Sequence, residues 1–153
     1  MFVIRRVGAD ECDVLHALWL RSVRATHTFL AEADIMYYAP LVAEALVSDM
    51  ELWAIYERED SEPAGFMALA APEPFGGKWK LEALFIDAGK VRRGFGKCLV
   101  EYAVNVKGKL VLDVNEQNPE AEAFYLSMGF VKTGRSPLDG AGMPFPLIHM
   151  EMQ

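Results

Sequence analysis

The run Leu81-Glu82-Ala83-Leu84-Phe85-Ile86-Asp87, followed by Arg92-Arg93-Gly94-Phe95-Gly96-Lys97 and then by helical spacing, most constrains what this chain can fold into. Every residue from Ala83 to Ile86 is apolar, as in a strand buried on both faces of a sheet. From Gly94 the apolar period changes, with Phe95, Leu99, Tyr102, Ala103 and Val106 in helical register and Gly108 closing the helix. A buried strand that turns directly into a helix calls for an α/β sheet with layers on both sides.

The flanking pattern agrees. Phe2–Val7 reads as a short strand, and Asp10 offers an N-cap for a helix carrying Val14, Leu15, Leu18, Trp19 and Ser22. A second helical segment spans Asp34–Ser48, where Pro40 should break or kink it. Leu52–Glu57 and Ala64–Ala71 form a hairpin around a polar turn, and a Pro- and Gly-rich loop over 72–77 leads to the apolar strand, Trp79–Asp87. Leu110–Val114 is the next strand. Asn118-Pro119 caps and starts a helix that Gly129 ends, Phe130–Gly134 follows, and Leu147–Met152 is a last strand after the loop Ser136–Pro146. With no linker-like stretch or repeat, residues 1–153 read as one domain.

Fifteen basic against 22 acidic residues give a formal charge of −7, which repels phosphate backbones and suits an amine-bearing partner. Nucleic-acid binding is therefore not expected. Cys12 and Cys98 lie in helical runs rather than in a disulfide framework, which indicates a reducing, cytoplasmic setting. No apolar run approaches the roughly 18 residues a membrane span needs, and no export signal opens the sequence. No His or Cys pair has ligand spacing, so no metal is implied. His149 alternates with Glu151 on a polar strand face, His16 reads as partly exposed, and Cys98 as inert core.

At the Gly94 turn, backbone N–H groups freed at a helix start form an anion site, and Gly94 and Gly96 let a phosphate approach without a Cβ in the way. Arg92, Arg93 and Lys97 add positive charge. A plain strand-to-helix turn with solvated basic residues explains the same pattern. Neither Gly-Lys-Ser/Thr nor a third glycine follows, which argues against nucleotide hydrolysis and hydride transfer.

Leu84-Phe85-Ile86-Asp87 followed by Arg92-Arg93-Gly94-Phe95-Gly96-Lys97 resembles the coenzyme A pyrophosphate loop of the GNAT (GCN5-related) N-acetyltransferases. Downstream, Asn115-Glu116-Gln117-Asn118-Pro119-Glu120-Ala121-Glu122-Ala123-Phe124-Tyr125-Leu126-Ser127-Met128-Gly129-Phe130 resembles that family's second signature, Asn-x-x-Ala-x-x-Phe-Tyr-x-x-x-Gly-Phe, and the two stand in the family's order and spacing. Arg24–Leu30 and Gly134–Asp139 resemble its small bacterial YjaB-type branch. One departure is Val91, where the family usually carries Gln or Arg; contacts there are mostly through backbone, so affinity is what it bears on.

The resemblance implies a mixed, mostly antiparallel sheet of about seven strands with about four helices, splayed between the fourth and fifth strands. It implies acetyl-CoA as cosubstrate, held by Leu84, Phe85, Ile86, the loop Val91–Lys97, Asn118 and Tyr125, with an N–H near Phe85 or Ile86 stabilising the developing oxyanion. The amine attacks directly once deprotonated, and reaching the neutral form from a pKa of ~10.4 costs about 4 kcal/mol near neutral pH. Tyr125 is the candidate acid. A phenol is a weaker acid than a thiol, so hydrogen-bond stabilisation of the leaving thiolate is its main expected role. Candidate bases are Glu82, expected to be partly desolvated, Glu116 and His27. Each has a plainer reading, as a strand-edge charge, a loop charge and a helix cap respectively.

Acceptor recognition would fall to His27, Phe29, Tyr37, Tyr38 and Phe145, with Met36 and Met143 nearby, in the segments Thr26–Ala39 and Ser136–Pro146, and to Asn115 after the fifth strand. The acceptor could be a protein lysine, an amino terminus or a small amine such as a polyamine, an amino acid or an antibiotic. A non-catalytic acyl-CoA sensor and an interaction domain without coenzyme affinity are the competing readings. The protein could be a monomer or a homodimer, the final strand offering an edge for pairing.

Overall fold

A computed structural model describes residues 2–73 and 77–153. Seven strands form one sheet in the order β1-β2-β3-β4-β5-β7-β6, comprising β1 (Val3–Arg6), β2 (Glu51–Tyr56), β3 (Pro63–Ala70), β4 (Trp79–Ile86), β5 (Leu110–Asn115), β6 (Phe130–Ser136) and β7 (Leu147–Met152). Four helices accompany them: α1 (Cys12–Thr26), α2 (Glu32–Leu46), α3 (Phe95–Lys107) and α4 (Pro119–Ser127). The loop read over 72–77 lies partly outside the described residues, which leave out 74–76.

Every neighbouring pair is antiparallel except β4–β5. That parallel pairing covers only Trp79↔Leu110, Lys80↔Val111 and Leu81↔Leu112. Beyond it β4 stays with β3 as far as Gly65↔Ile86, while β5 stays with β7 as far as Asn115↔Leu147, so the sheet opens between them. The register of β3 and β4 shifts where Ala68↔Ala83 gives way to Leu69↔Leu81, leaving Glu82 as the unpaired residue of a bulge at the point of parting. A bulge bends its strand and re-aims its side chains, which is what the opening requires.

Two cores lie on the two faces of this sheet. On one, Leu99, Val100 and Ala103 of α3 and Tyr125 of α4 pack with Met67, Leu81, Leu112 and Met150. On the other, Leu15, Leu18 and Trp19 of α1 and Ile35 of α2 pack with Ala54, Phe66 and Ala68. At Gly65 a Cβ would stand 2.5 Å from the end of the Ile86 side chain and 3.0 Å from the Phe85 carbonyl, so a larger residue there would make Ile86 move and press β3 slightly away from β4.

Several expectations are corrected. Asp10 does not cap α1, because Ala9–Glu11 form a 3-10 turn ahead of it and no side chain caps Cys12. Helix α2 starts at Glu32 rather than Asp34, whose carboxylate turns back to accept the Ala31 N–H at 2.9 Å. Pro40 leaves α2 unbroken. The bond it cannot donate would go to the carbonyl of Met36, an exposed residue where water can replace it, and the Ala39 carbonyl accepts from His16 Nε2 at 2.8 Å. Only Leu81 of β4 is buried, because Ala83–Ile86 border the opening instead of a fifth strand. Val106 is exposed. The final strand is no free edge: β7 lies between β5 and β6, and the sheet edges are β1 and β6.

Candidate active site

The opening between β4 and β5 is bordered by two cavities. The smaller, about 140 Å³, is lined by Ala83, Leu84, Asn118, Ala121 and Tyr125; the larger, about 610 Å³, by Phe29, Tyr38, Lys80, Asp139 and Phe145. His27, Leu81, Glu82, Phe85, Asp113 and Asn115 line both, so one continuous cleft runs across the sheet. Glu116 and Tyr37 are not brought to it. Glu116 is paired with Arg135 in solvent, and Tyr37 sits exposed with its ring edge-on to Tyr38.

The turn into α3 carries backbone conformations that few side chains accept. Gly94 has φ 87°, and Arg92 before it has φ 62°. The first bond of the turn runs from Cys98 N–H to the Gly94 carbonyl at 3.0 Å, so the N–H groups of Phe95, Gly96 and Lys97 precede the intrahelical ladder. The basic side chains are otherwise engaged. Arg92 pairs with Glu120 at 3.1 Å, Arg93 with Glu57 at 2.9 Å and Lys97 with Glu101 at 3.8 Å in surface ion pairs, while the backbone amides are the fixed anion-binding groups here. Val91 is exposed beside them.

Asn118 accepts the Ala121 N–H at 3.3 Å, the cap its sequence position implied, and starts α4 so that Tyr125 reaches the cleft. The Tyr125 ring lies edge-on to Phe124 and Phe130, at 5.2 and 5.7 Å between centroids. Among the described residues, its hydroxyl has no hydrogen-bond partner and no buried side-chain polar atom is sealed without one, so the hydroxyl borders the cavity. Burial pushes its pKa upward, which keeps the phenol protonated as a donor.

Asp87 gives its N–H to the Ala64 carbonyl of β3 at 2.8 Å. Alternation along the strand then turns the Ile86 N–H the other way, into the opening.

Burial lowers the pKa of His27 from 6.5 to about 4, so its imidazole is neutral at pH 7. Its ring stands 5.4 Å from Phe29 and 6.1 Å from Phe85, between the two cavities. A folded-state pKa below the unfolded one favours the unfolded chain as pH falls through 6.5 towards 4, because only the unfolded chain gains the proton. At pH 5 the wild type should lose about 2 kcal/mol from this group relative to pH 8. His27→Gln should lack that share, so its stability from denaturant melts should fall less between pH 8 and 5; parallel losses would refute the assignment.

A polar row that sequence spacing did not reveal crosses the sheet beside the cleft. Glu82 lies 3.5 Å from Lys80 Nζ, which donates to Asp113 Oδ2 at 2.9 Å. Asp113 Oδ1 accepts from His149 Nδ1 at 2.5 Å, and His149 Nε2 accepts from Ser136 Oγ at 2.7 Å. Lys80 is held above its usual pKa: burial acts in the opposite direction, but the bond to Asp113 and the charge of Glu82 outweigh it. The Glu82 side chain is 37% exposed at the mouth of the cleft. Tyr38 donates to Asp139, whose other oxygen accepts the N–H groups of Ala141 at 3.0 Å and Met143 at 2.9 Å, and this ties the 136–146 loop to α2.

A splayed β4–β5 pair with a glycine turn at one end is a specific arrangement, and comparison with known proteins identifies it. A family profile described as "Acetyltransferase (GNAT) domain" matches residues 27–153. The chain belongs to the GNAT acetyltransferase family. It is 44% identical over 154 residues to the peptidyl-lysine N-acetyltransferase YjaB of Salmonella typhimurium, covering 98% of this chain and 97% of that one. To the Escherichia coli protein of the same name it is 37% identical over 147 residues, covering 96% and 94%. The solution structure of apo-form YjaB from Escherichia coli superimposes with a TM-score of 0.84 at 38% identity, over 99% of this chain and 97% of that one. This GNAT chain is therefore an acetyl-CoA-dependent N-acetyltransferase acting on an amine. No helix among the described residues is long and apolar enough to cross a membrane.

Acetyl-CoA supplies an activated acetyl thioester, and the residues present fit it. The free amides at Phe95–Lys97 suit a pyrophosphate, and the unpaired edge of β4 from Glu82 to Ile86 suits an extended, amide-bearing arm. A Cβ at Gly96 would meet only Phe124 at 3.5 Å and Ile86 at 3.9 Å, so the fold itself does not demand glycine there.

Proposed function

We propose that this protein is a lysine acetyltransferase of the cytoplasm, acting as a single domain on lysine side chains of other proteins. The observation that carries the reading is the continuous cleft. It joins a slot ending at the Tyr125 hydroxyl to an aromatic-walled cavity, with Glu82 and His27 lining both. Its relatives named as peptidyl-lysine N-acetyltransferases support the choice of lysine, since they align over nearly the whole chain.

In this reading the acetyl-CoA arm lies along Leu84, Phe85 and Ile86, with Asn118 on its other side and its phosphates on the loop Val91–Lys97. The Ile86 N–H faces the thioester oxygen. Phe29, Tyr38 and Phe145 surround the methylene stem of the lysine, with Asn115 at its inner end. Glu82 takes the proton from the ammonium, directly or through one water. His27 stays neutral and limits water in the cleft, because an imidazole with a pKa of about 4 is a poor match for an alkyl ammonium. Tyr125 donates to the leaving sulfur. General acid–base catalysis of this kind contributes roughly 10²–10⁴-fold.

Thiol release from acetyl-CoA with lysine-containing peptides tests the reading, with mass spectrometry locating the acetyl group. Acetylation of the lysine Nε is expected. Transfer confined to amino termini or small amines, or coenzyme binding without turnover on any peptide, would reject it.

A further inference from the structure

Three carboxylates, Glu82, Asp113 and Asp139, line the acceptor cavity, which at first sight suits a polycation. Their oxygens are almost all in use. Asp113 accepts from Lys80 on one oxygen and from His149 on the other. Asp139 accepts from Tyr38 on one and from the Ala141 and Met143 amides on the other. Glu82 Oε1 faces Lys80 at 3.5 Å, which leaves Glu82 Oε2 without a partner among the described residues. Lys80 is thus an ammonium already seated in the cavity, fastened from behind by the chain Asp113–His149–Ser136.

We propose that Lys80 determines acceptor specificity by filling the place a second substrate ammonium would take, so that the cavity accepts one cation on an apolar stem, a lysine side chain, and rejects polyamines. This rests on the lysine reading above and names the residue that sets its selectivity. A lysine stem is served by Phe29, Tyr38 and Phe145, and its amine takes the one free carboxylate oxygen, Glu82 Oε2, so the additional ammonium of a polyamine would meet Lys80 with no further unengaged acid. Asp113 and His149 are positioning residues here, since they act only by holding the Lys80 chain.

The test compares wild type, Lys80→Met and Lys80→Arg, each first shown to be folded by an acetyl-CoA-induced rise in melting temperature. Spermidine binding by calorimetry and kcat/KM for spermidine against a lysine peptide are then measured. Lys80→Met should bind spermidine at least tenfold more tightly than wild type and shift the kcat/KM ratio towards spermidine by a similar factor. Lys80→Arg, which keeps the cation, should stay near wild type. Unchanged spermidine affinity in Lys80→Met overturns the proposal, as does wild type already favouring spermidine. Because calorimetry needs no turnover, an affinity gain without acetylation of any lysine peptide would retain the exclusion role of Lys80 and reject the lysine reading instead.

Discussion

Tyr125→Phe should lower kcat by roughly 100-fold and leave the acetyl-CoA-induced rise in melting temperature unchanged. The substitution removes one oxygen atom. The ring contacts with Phe124 and Phe130 survive it, and no hydrogen bond within the described structure is lost, so stability should stay within about 0.5 kcal/mol. What disappears is a donor facing the cavity that burial keeps protonated. A hydrogen bond to a charged partner contributes about 1.5–3 kcal/mol, and each 1.4 kcal/mol is a factor of ten in rate, which gives the expected scale. Stopped turnover assays under saturating acetyl-CoA measure it. An unchanged kcat would make Tyr125 a packing residue only.

Gly96→Asp should weaken acetyl-CoA binding by about 100-fold without unfolding the protein. A Cβ at Gly96 meets nothing closer than 3.5 Å, and an acidic residue in the first turn of α3 is favourable for the helix. The same charge placed among the free amides of Phe95–Lys97 would stand against the incoming phosphates. At separations of about 4 Å and an effective dielectric near 20, like charges repel by several kcal/mol, more than enough for two decades in Kd. Calorimetric titration with coenzyme A reads this directly, and Gly96→Asn separates charge from bulk. Equal losses in both variants would mean that bulk dominates; no loss in either would move the coenzyme phosphates away from this turn.

The order of strands and helices was legible because each segment carries its own period and punctuation: Asn118-Pro119 starts α4, Gly108 ends α3, and the alternation of Leu110, Leu112 and Val114 marks β5. The glycine turn into α3, the proposed seat of the coenzyme phosphates, was legible for the same local reason. The exceptions depend on partners distant in sequence. Arg92 and Arg93 looked free until Glu120 and Glu57 were brought beside them, and the burial expected for Ala83–Ile86 failed because β5 leaves β4 at Leu81. The row of Lys80, Asp113, Ser136 and His149 draws single residues from four strands, so no spacing within any one segment could reveal it. Glu82 as the extra residue of a bulge likewise follows from register, which pairs whole strands.

The position of β7 sets an order of assembly. Strand β6 precedes it in the chain yet pairs within the sheet only with it, so β6 joins the sheet either after Leu147–Met152 have docked on β5 or together with them as a hairpin. The contact that brings His149 to Asp113 is therefore long-range in sequence, and pairings of that kind are slow because loop closure must precede contact. An intermediate stalled at that step would already hold the glycine turn of α3 against β4, and would lack the fastening of Lys80. With the coenzyme seated at that turn and selectivity set by Lys80, as proposed above, the capacity for acetyl-CoA should be the first of the two to mature in a refolding chain.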